Sequence, residues 1–495
     1  MSGMIVVKRK WIPLLVIDAL LLVWGYLNPD LLRMILVLVV WSNGFIFTLE
    51  DLETRGALFA FLSTFFLFLI GREALEVFGL HDIEIVFSRE LNQLAEGMLL
   101  ISLLSLFIGY VLAGRITFKR LAYKTVQDYQ SQQYISVRHV SKILFLLTFA
   151  FNIFTLTDIV LFVLRNGYLA YYTSYVSSVP YVIKKIGDMC PVCLWIFFAT
   201  MPEKRAADRL SMLYMFYLLL TLGTGKRFPF AAGILTLFVY YISRNTINPG
   251  KGVWVKKRTL VALFIMTPFL FMGLYVVGQI RFNHLVNSVN LGSMVGDFLY
   301  KQGVSVNIIK RTKLYVNRLP AGKMYLFGST YEAISNNIIF RSLGARQYAG
   351  NNIAHALGGY SFQHALSYAA MGNYYLEGHG LGSCYIAEVF HDLGYVGVVI
   401  VNVIYGILFR RVFNFKNHGI WMTAIIISML NSLLLAPRGS ADGFITDIVD
   451  LTTWGTILVV WMISKTEHRR YSSTANDENR EKTYEDWNTV HAKSA

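Results

Sequence analysis

The stretch EGHGLGSCYIAEVFHDLG, Glu377 to Gly394, gathers Glu377, His379, Ser383, Glu388, His391 and Asp392 just before an apolar run that continues to Val401. Carboxylates and imidazoles can take a proton from a hydroxyl, so Glu377 and His379 are candidates to position or deprotonate an attacking alcohol. The glycines between them let a substrate come close to the backbone. A second set is cationic: Lys226 and Arg227 in GTGKRFPF, Arg281 in VGQIRF and Arg438 in APRGSAD each stand at the end of an apolar run. A guanidinium is always charged and presents a fork that matches phosphate oxygens, so convergent arginines would stabilise the charge that develops on a pyrophosphate leaving group. For any one of them alone, snorkelling toward lipid headgroups is the plainer reading. His391 and Asp392 are too sparse for a metal, and Asp447 and Asp450 do not make the pattern of a metal-binding carboxylate pair, so no metal or cofactor is expected.

The elements that hold these residues follow from composition. Hydrophobic residues make up 55% of the chain and charged ones 15%, with a mean hydropathy of +0.49. Such a chain is a polytopic membrane protein, and a backbone crossing hydrocarbon must bond internally, which makes the fold all-α. Apolar runs at about 11–28, 31–49, 56–70, 94–113, 143–164, 187–201, 210–223, 228–243, 259–280, 384–409, 420–437 and 444–463 give about twelve transmembrane helices. Basic residues in the KRK at 8–10, in 114–142, in 203–209, at 256–258 and at 410–411 all fall on one side, which puts both termini in the cytoplasm. The chain thus divides into helices one to nine over 1–280, a large external loop over 281–383, helices ten to twelve over 384–464, and a polar tail over 465–495 expected to be disordered. Charges at Asp18, Arg33, Asp158 and Asp447 in or near spans are expected to face the bundle in structural pairs, with an ion path as the rival reading. The net charge of +15 does not imply nucleic acid, because cytoplasmic loops carry most of it and would meet anionic membrane lipids. Cys190 and Cys193 read as adjacent turns of one helix, and three cysteines cannot form a disulfide framework.

The loop over 281–383 is far longer than a connection needs, carries nine Lys or Arg against three Asp or Glu, and is rich in tyrosine and asparagine. Aromatic faces and amides suit sugar hydroxyls, while cations suit phosphate. Its part from Asn287 to Ile309 is partly amphipathic through Leu291, Met294, Val295, Phe298 and Leu299. It is expected to lie in the interface as a lid, with Gln302 and Ser305 over the site.

Taken together, this arrangement resembles the Wzy-type O-antigen and capsular polysaccharide polymerases, and more distantly the O-antigen ligases. Two stretches carry the likeness: DFLYKQGVSVNII at 297–309, with Gln302, Gly303 and Ser305, and the glycine-rich turn into a helix with Glu388 and the Gly-x-x-Gly of Gly394 and Gly397. One feature departs from the family, for the ligases and many polymerases place a His-Asn pair where Ser383 and Cys384 stand here. Glu377 and His379 are then the substitutes for the role of acceptor activation.

The resemblance implies a GT-C-like glycosyltransferase that needs no metal. Its donor would be a glycan on undecaprenyl pyrophosphate, and its acceptor a lipid-linked repeat unit whose hydroxyl attacks the donor's anomeric carbon. The lack of a Walker loop, or of a GxGxxG in a βαβ pattern, fits such a donor. Arg227 and Arg281 would act on the pyrophosphate with Lys226 or Arg438 assisting, and Gln302, Ser305, Ser383 and Glu388 would contact substrate. The same likeness implies the bacterial cytoplasmic membrane, with flippase and chain-length regulator proteins as partners. A transporter of lipid-linked sugars or of a small solute, and a ligase, are the alternatives.

Overall fold

The computed structural model describes residues 11–115, 128–247, 252–281, 291–413, 415 and 418–467, so the basic run at 8–10, residues 282–290 and the tail from 468 lie outside it. Among the described residues every regular element is helical and none is a strand. Six helices are long and apolar enough to cross a membrane: Pro29–Leu49, Leu52–Val77, Arg89–Arg115, Gln132–Asn166, Tyr385–Arg411 and Ile420–Arg438. The pair Gly443–Val449 and Leu451–Glu467, bent by 43°, makes a seventh if it is one span. The remaining stretches read as spans are helices too, at Ile12–Leu27, Tyr181–Ala199, Lys204–Thr221, Phe228–Ile247 and Lys257–Arg281.

Four helices position the site and take labels: α1 (Leu52–Val77), α2 (Arg89–Arg115), α3 (Tyr385–Arg411) and α4 (Ile420–Arg438). α4 and α1 form the centre, 72% and 67% buried over their apolar windows, whereas Gln132–Asn166 is 17% buried and turns Leu147, Phe154 and Leu164 outward. Hydrocarbon is as good a solvent as the core for such side chains, so packing here depends on close fit and not on hiding apolar surface. The fit is closest where α2 crosses α3. A Cβ on Gly109 would meet the Val403 carbonyl oxygen at 2.1 Å, and one on Gly406 would meet that of Leu106 at 2.1 Å. Only glycine allows the two backbones to touch.

Two local breaks aim side chains inward. α1 starts on Asp51, whose side chain caps the Thr54 amide, and contains a π-helical turn at Phe66–Ile70. A π turn adds a residue to the helix and rotates the positions after it, here Gly71, Arg72 and Glu73. α3 is kinked at Gly394, where φ is 61°, a value that glycine adopts without penalty. Of the charges in or near spans, Asp18 accepts from Asn43 at 2.8 Å, Asp158 from the Tyr175 hydroxyl at 2.7 Å, and Asp447 from Ser432 at 2.9 Å. Each is bonded within the protein.

The segment over 291–383 differs from the expected interfacial lid. Helix α5 (Leu291–Gln302), the turn Gly303–Ser305 and helix α6 (Val306–Tyr315) enter the bundle, with Phe298, Tyr300, Ser305, Val306, Ile308 and Ile309 all buried. Gln302 is 7% exposed and does not hang over a surface. The physical reason is Lys310, fully buried with its ammonium 2.7 Å from Glu73 of α1. A cation taken out of water needs such a counter-charge, and α1 supplies it from inside the bundle. The rest of the segment forms short helices capping the same end.

Candidate functional site

At the end of the bundle that carries this segment, the turn after α4 ties two groups together. Arg438 closes α4 and donates from Nη1 to the carbonyl of Gln302 at 3.1 Å and to its Oε1 at 3.2 Å, while its guanidinium lies 5.4 Å from the Phe68 ring. Three residues on, the Ala441 amide donates to Glu388 Oε2 at 2.8 Å, and the Ser383 hydroxyl donates to Glu388 Oε1 at 2.5 Å. Arg438, Gln302, Ser383 and Glu388, distant in sequence, therefore meet through one short stretch, with Ser305 buried at the end of the turn that Gln302 enters. Asp442 comes next, accepting the Thr330 amide at 2.7 Å while its other oxygen has no partner among the described residues. Burial pushes its carboxyl above the usual range, against the hydrogen bond from the Thr330 amide that pulls it down.

A second group lies around the tyrosines of the 165–186 connection. The Lys226 ammonium sits 3.8 Å from the Tyr171 ring centre and 5.5 Å from that of Tyr172. Asn351 is held from both sides, its backbone amide donating to the Tyr172 carbonyl at 3.1 Å and its side chain to the His379 carbonyl at 2.8 Å. His379 stacks on Tyr374 with ring centres 3.7 Å apart. Glu377 is exposed and its carboxylate makes no hydrogen bond among the described residues. Lys226, Glu377 and His379 thus share one neighbourhood, joined to Ser383 by four residues of chain, roughly 14 Å at full extension. Arg227 precedes Phe228–Ile247, its carbonyl accepting from the Ala231 amide at 3.1 Å. Arg281 closes Lys257–Arg281, and its side chain is not among those the structure describes.

A further charged cluster has no counterpart among the residues singled out from sequence. Arg72, 2% exposed, donates to Glu76 at 2.8 Å and to the Tyr300 hydroxyl at 2.8 Å, with its guanidinium 3.8 Å over the Tyr300 ring. His81 also stacks on Tyr300, with ring centres 3.8 Å apart, and reaches Asp297 at 3.1 Å. Gly303 lies against this cluster so tightly that a Cβ there would stand 2.4 Å from the Arg72 Cβ and 2.9 Å from its backbone nitrogen. The available signal was the GRE at 71–73 directly after an apolar run, where opposite charges adjoin a span. Arg311, next to Lys310, has its guanidinium pKa lowered by burial.

Chemically, the first group offers a guanidinium beside an amide and a carboxylate held by two donors, and the second offers aromatic faces, an ammonium and a free carboxylate. Among the described residues no three His, Cys, Asp or Glu side chains are grouped as a metal site would need. No curated protein and no solved structure matches the chain. The family described as O-antigen polysaccharide polymerase Wzy matches it over residues 12–470, nearly the whole length. That span takes in all the membrane-capable helices, so this multi-pass helical membrane protein belongs to the O-antigen polysaccharide polymerase Wzy family.

Proposed function

We propose that the chain joins lipid-linked repeat units at the outer face of the bacterial cytoplasmic membrane, through twelve spans with both termini in the cytoplasm and no metal. The hydroxyl of the acceptor unit attacks the anomeric carbon of the growing glycan. The bond from that carbon to the lipid pyrophosphate breaks, its electron pair stays on the phosphate oxygen, and the hydroxyl proton leaves to a base. Arg227, Arg281 and Arg438, with Lys226, take the charge that builds on the pyrophosphate. Glu377, unbonded and exposed, receives the proton, while His379 on Tyr374 offers a stacked face to a sugar ring. Glu388 and Ser383 hold the start of α3 against the turn that bears Arg438.

The observation that carries this reading is the stretch from Arg438 to Ala441, which brings a guanidinium and two segments of the family's resemblance to one place. Removing one group that stabilises transition-state charge costs on the order of a hundredfold or more. Arg227→Ala and Arg281→Ala are therefore each expected to abolish nearly all polymer in cells while the protein inserts at its normal level. Polymer of normal length and yield from both variants would overturn the assignment.

A further inference from the structure

The opposite end of the bundle holds a cavity that the reaction does not use. It has a volume of ≈ 220 Å³ and is lined by Asp51, Thr54 and Arg55 at the start of α1, Tyr110 near the end of α2, and Phe409 and Arg410 near the end of α3. That is space for several water molecules or for one tetrahedral anion with part of its ester. Two guanidiniums face it, each braced on an aromatic ring: Arg55 lies 3.7 Å over Phe47 and donates to the Phe47 carbonyl, and Arg410 lies 4.9 Å from the Tyr110 ring centre. Among the described residues neither pairs with a carboxylate. The one carboxylate in the lining, Asp51, is already engaged, capping α1 through the Thr54 amide and hydroxyl. The result is two oriented forks, neither paired with a carboxylate, beside a polar cavity at the level where the helices end.

We infer that this cavity binds a phosphate ester anion, with Arg55 and Arg410 as its ligands. Guanidinium forks held in place by ring stacking lose little freedom on binding, and they match the paired oxygens of a phosphodiester. Position at the ends of three spans points to a lipid headgroup as the source, and a free phosphate would present the same chemistry.

The test uses the purified full chain reconstituted in phosphatidylcholine vesicles. One arm titrates phosphatidylglycerol into the bilayer, a second titrates inorganic phosphate in the buffer, and both read thermal stabilisation. Lys256→Gln serves as control, since Lys256 is exposed at the same end and does not line the cavity. Loss of a charged hydrogen-bonding partner is expected to weaken the apparent affinity about tenfold in Arg410→Gln and in Arg55→Gln, with Lys256→Gln like the parent. Arg410 is exposed, so its removal is expected to leave the melting temperature in pure phosphatidylcholine unchanged. Stabilisation by inorganic phosphate with the same arginine dependence supports the anion site and assigns it to a free phosphate. No stabilisation in either arm, or equal stabilisation of parent and both arginine variants, overturns the site.

Discussion

Glu388 shows what a single carboxylate does here. It accepts one bond from the Ser383 hydroxyl and one from the Ala441 amide, so removing it leaves two buried donors without a partner. Each such group costs about 1–3 kcal/mol. Glu388→Ala is therefore expected to lower the melting temperature of the purified protein clearly, and Glu388→Gln to lower it less, because the amide oxygen still accepts one bond. Equal melting of Glu388→Ala and the parent would show that the contact does not hold the turn. Arg438 was legible in sequence as a cation ending an apolar run, and Gln302, Ser383 and Glu388 through the two stretches that carry the family resemblance. Their mutual contact was not legible, because no local pattern says which span ends lie side by side. Arg72 and Glu73 escaped for another reason: hydropathy ends the span near Ile70, whereas the π turn at Phe66–Ile70 carries the helix on to Val77.

Among the elements, α1 and α6 are coupled through Glu73 and Lys310, 237 positions apart and both essentially out of contact with solvent. Breaking one side of a buried pair strands the other charge and costs about 3–5 kcal/mol, whereas replacing both with apolar groups can be nearly neutral. Lys310→Met is accordingly expected to destabilise strongly and Lys310→Met with Glu73→Leu to recover most of the loss, measured as a double-mutant cycle of melting temperatures. Additive losses would contradict the coupling. The amphipathic pattern over 287–309 is present in the sequence, yet Phe298, Ile308 and Ile309 within it are buried in the protein. Hydropathy cannot distinguish burial in protein from contact with lipid, and only Lys310 gave a hint.

The capping helices carry a titratable pair of their own. His364 (in Phe362–Met371) stacks on His355 (in Ile353–Gly358) with ring centres 3.7 Å apart and bonds the Tyr375 hydroxyl at 2.8 Å, while His355 reaches Glu332 at 3.1 Å. Burial, and then the charge on His355, push the His364 pKa down to about 4, with Glu332 opposing. A histidine held neutral in the fold binds its proton more readily when unfolded. The contribution is therefore complete above the ordinary value of 6.5 and lost as pH falls from there toward about 4. Hydrogen exchange of residues 353–375 is expected to accelerate relative to the spans as pH falls from the ordinary histidine value of 6.5 toward about 4, and His364→Phe to blunt the change. Identical pH dependence in the variant would contradict this assignment.

For the whole molecule, the all-helical class was legible because a chain of this hydropathy leaves the backbone one way to satisfy its bonds in lipid. The approach of Gly109 and Gly406 was not, since it depends on which of many small residues face each other. Whether this bundle alone polymerises lipid-linked repeat units is decided by reconstitution. The purified chain is placed in proteoliposomes with lipid-linked repeat units and no other protein or added metal, and the products are separated on a gel. A ladder of products differing by one repeat is expected, with free lipid pyrophosphate released in step and both lost in Arg227→Ala. Repeat units that remain single while the parent protein is folded would contradict polymerisation by this bundle alone.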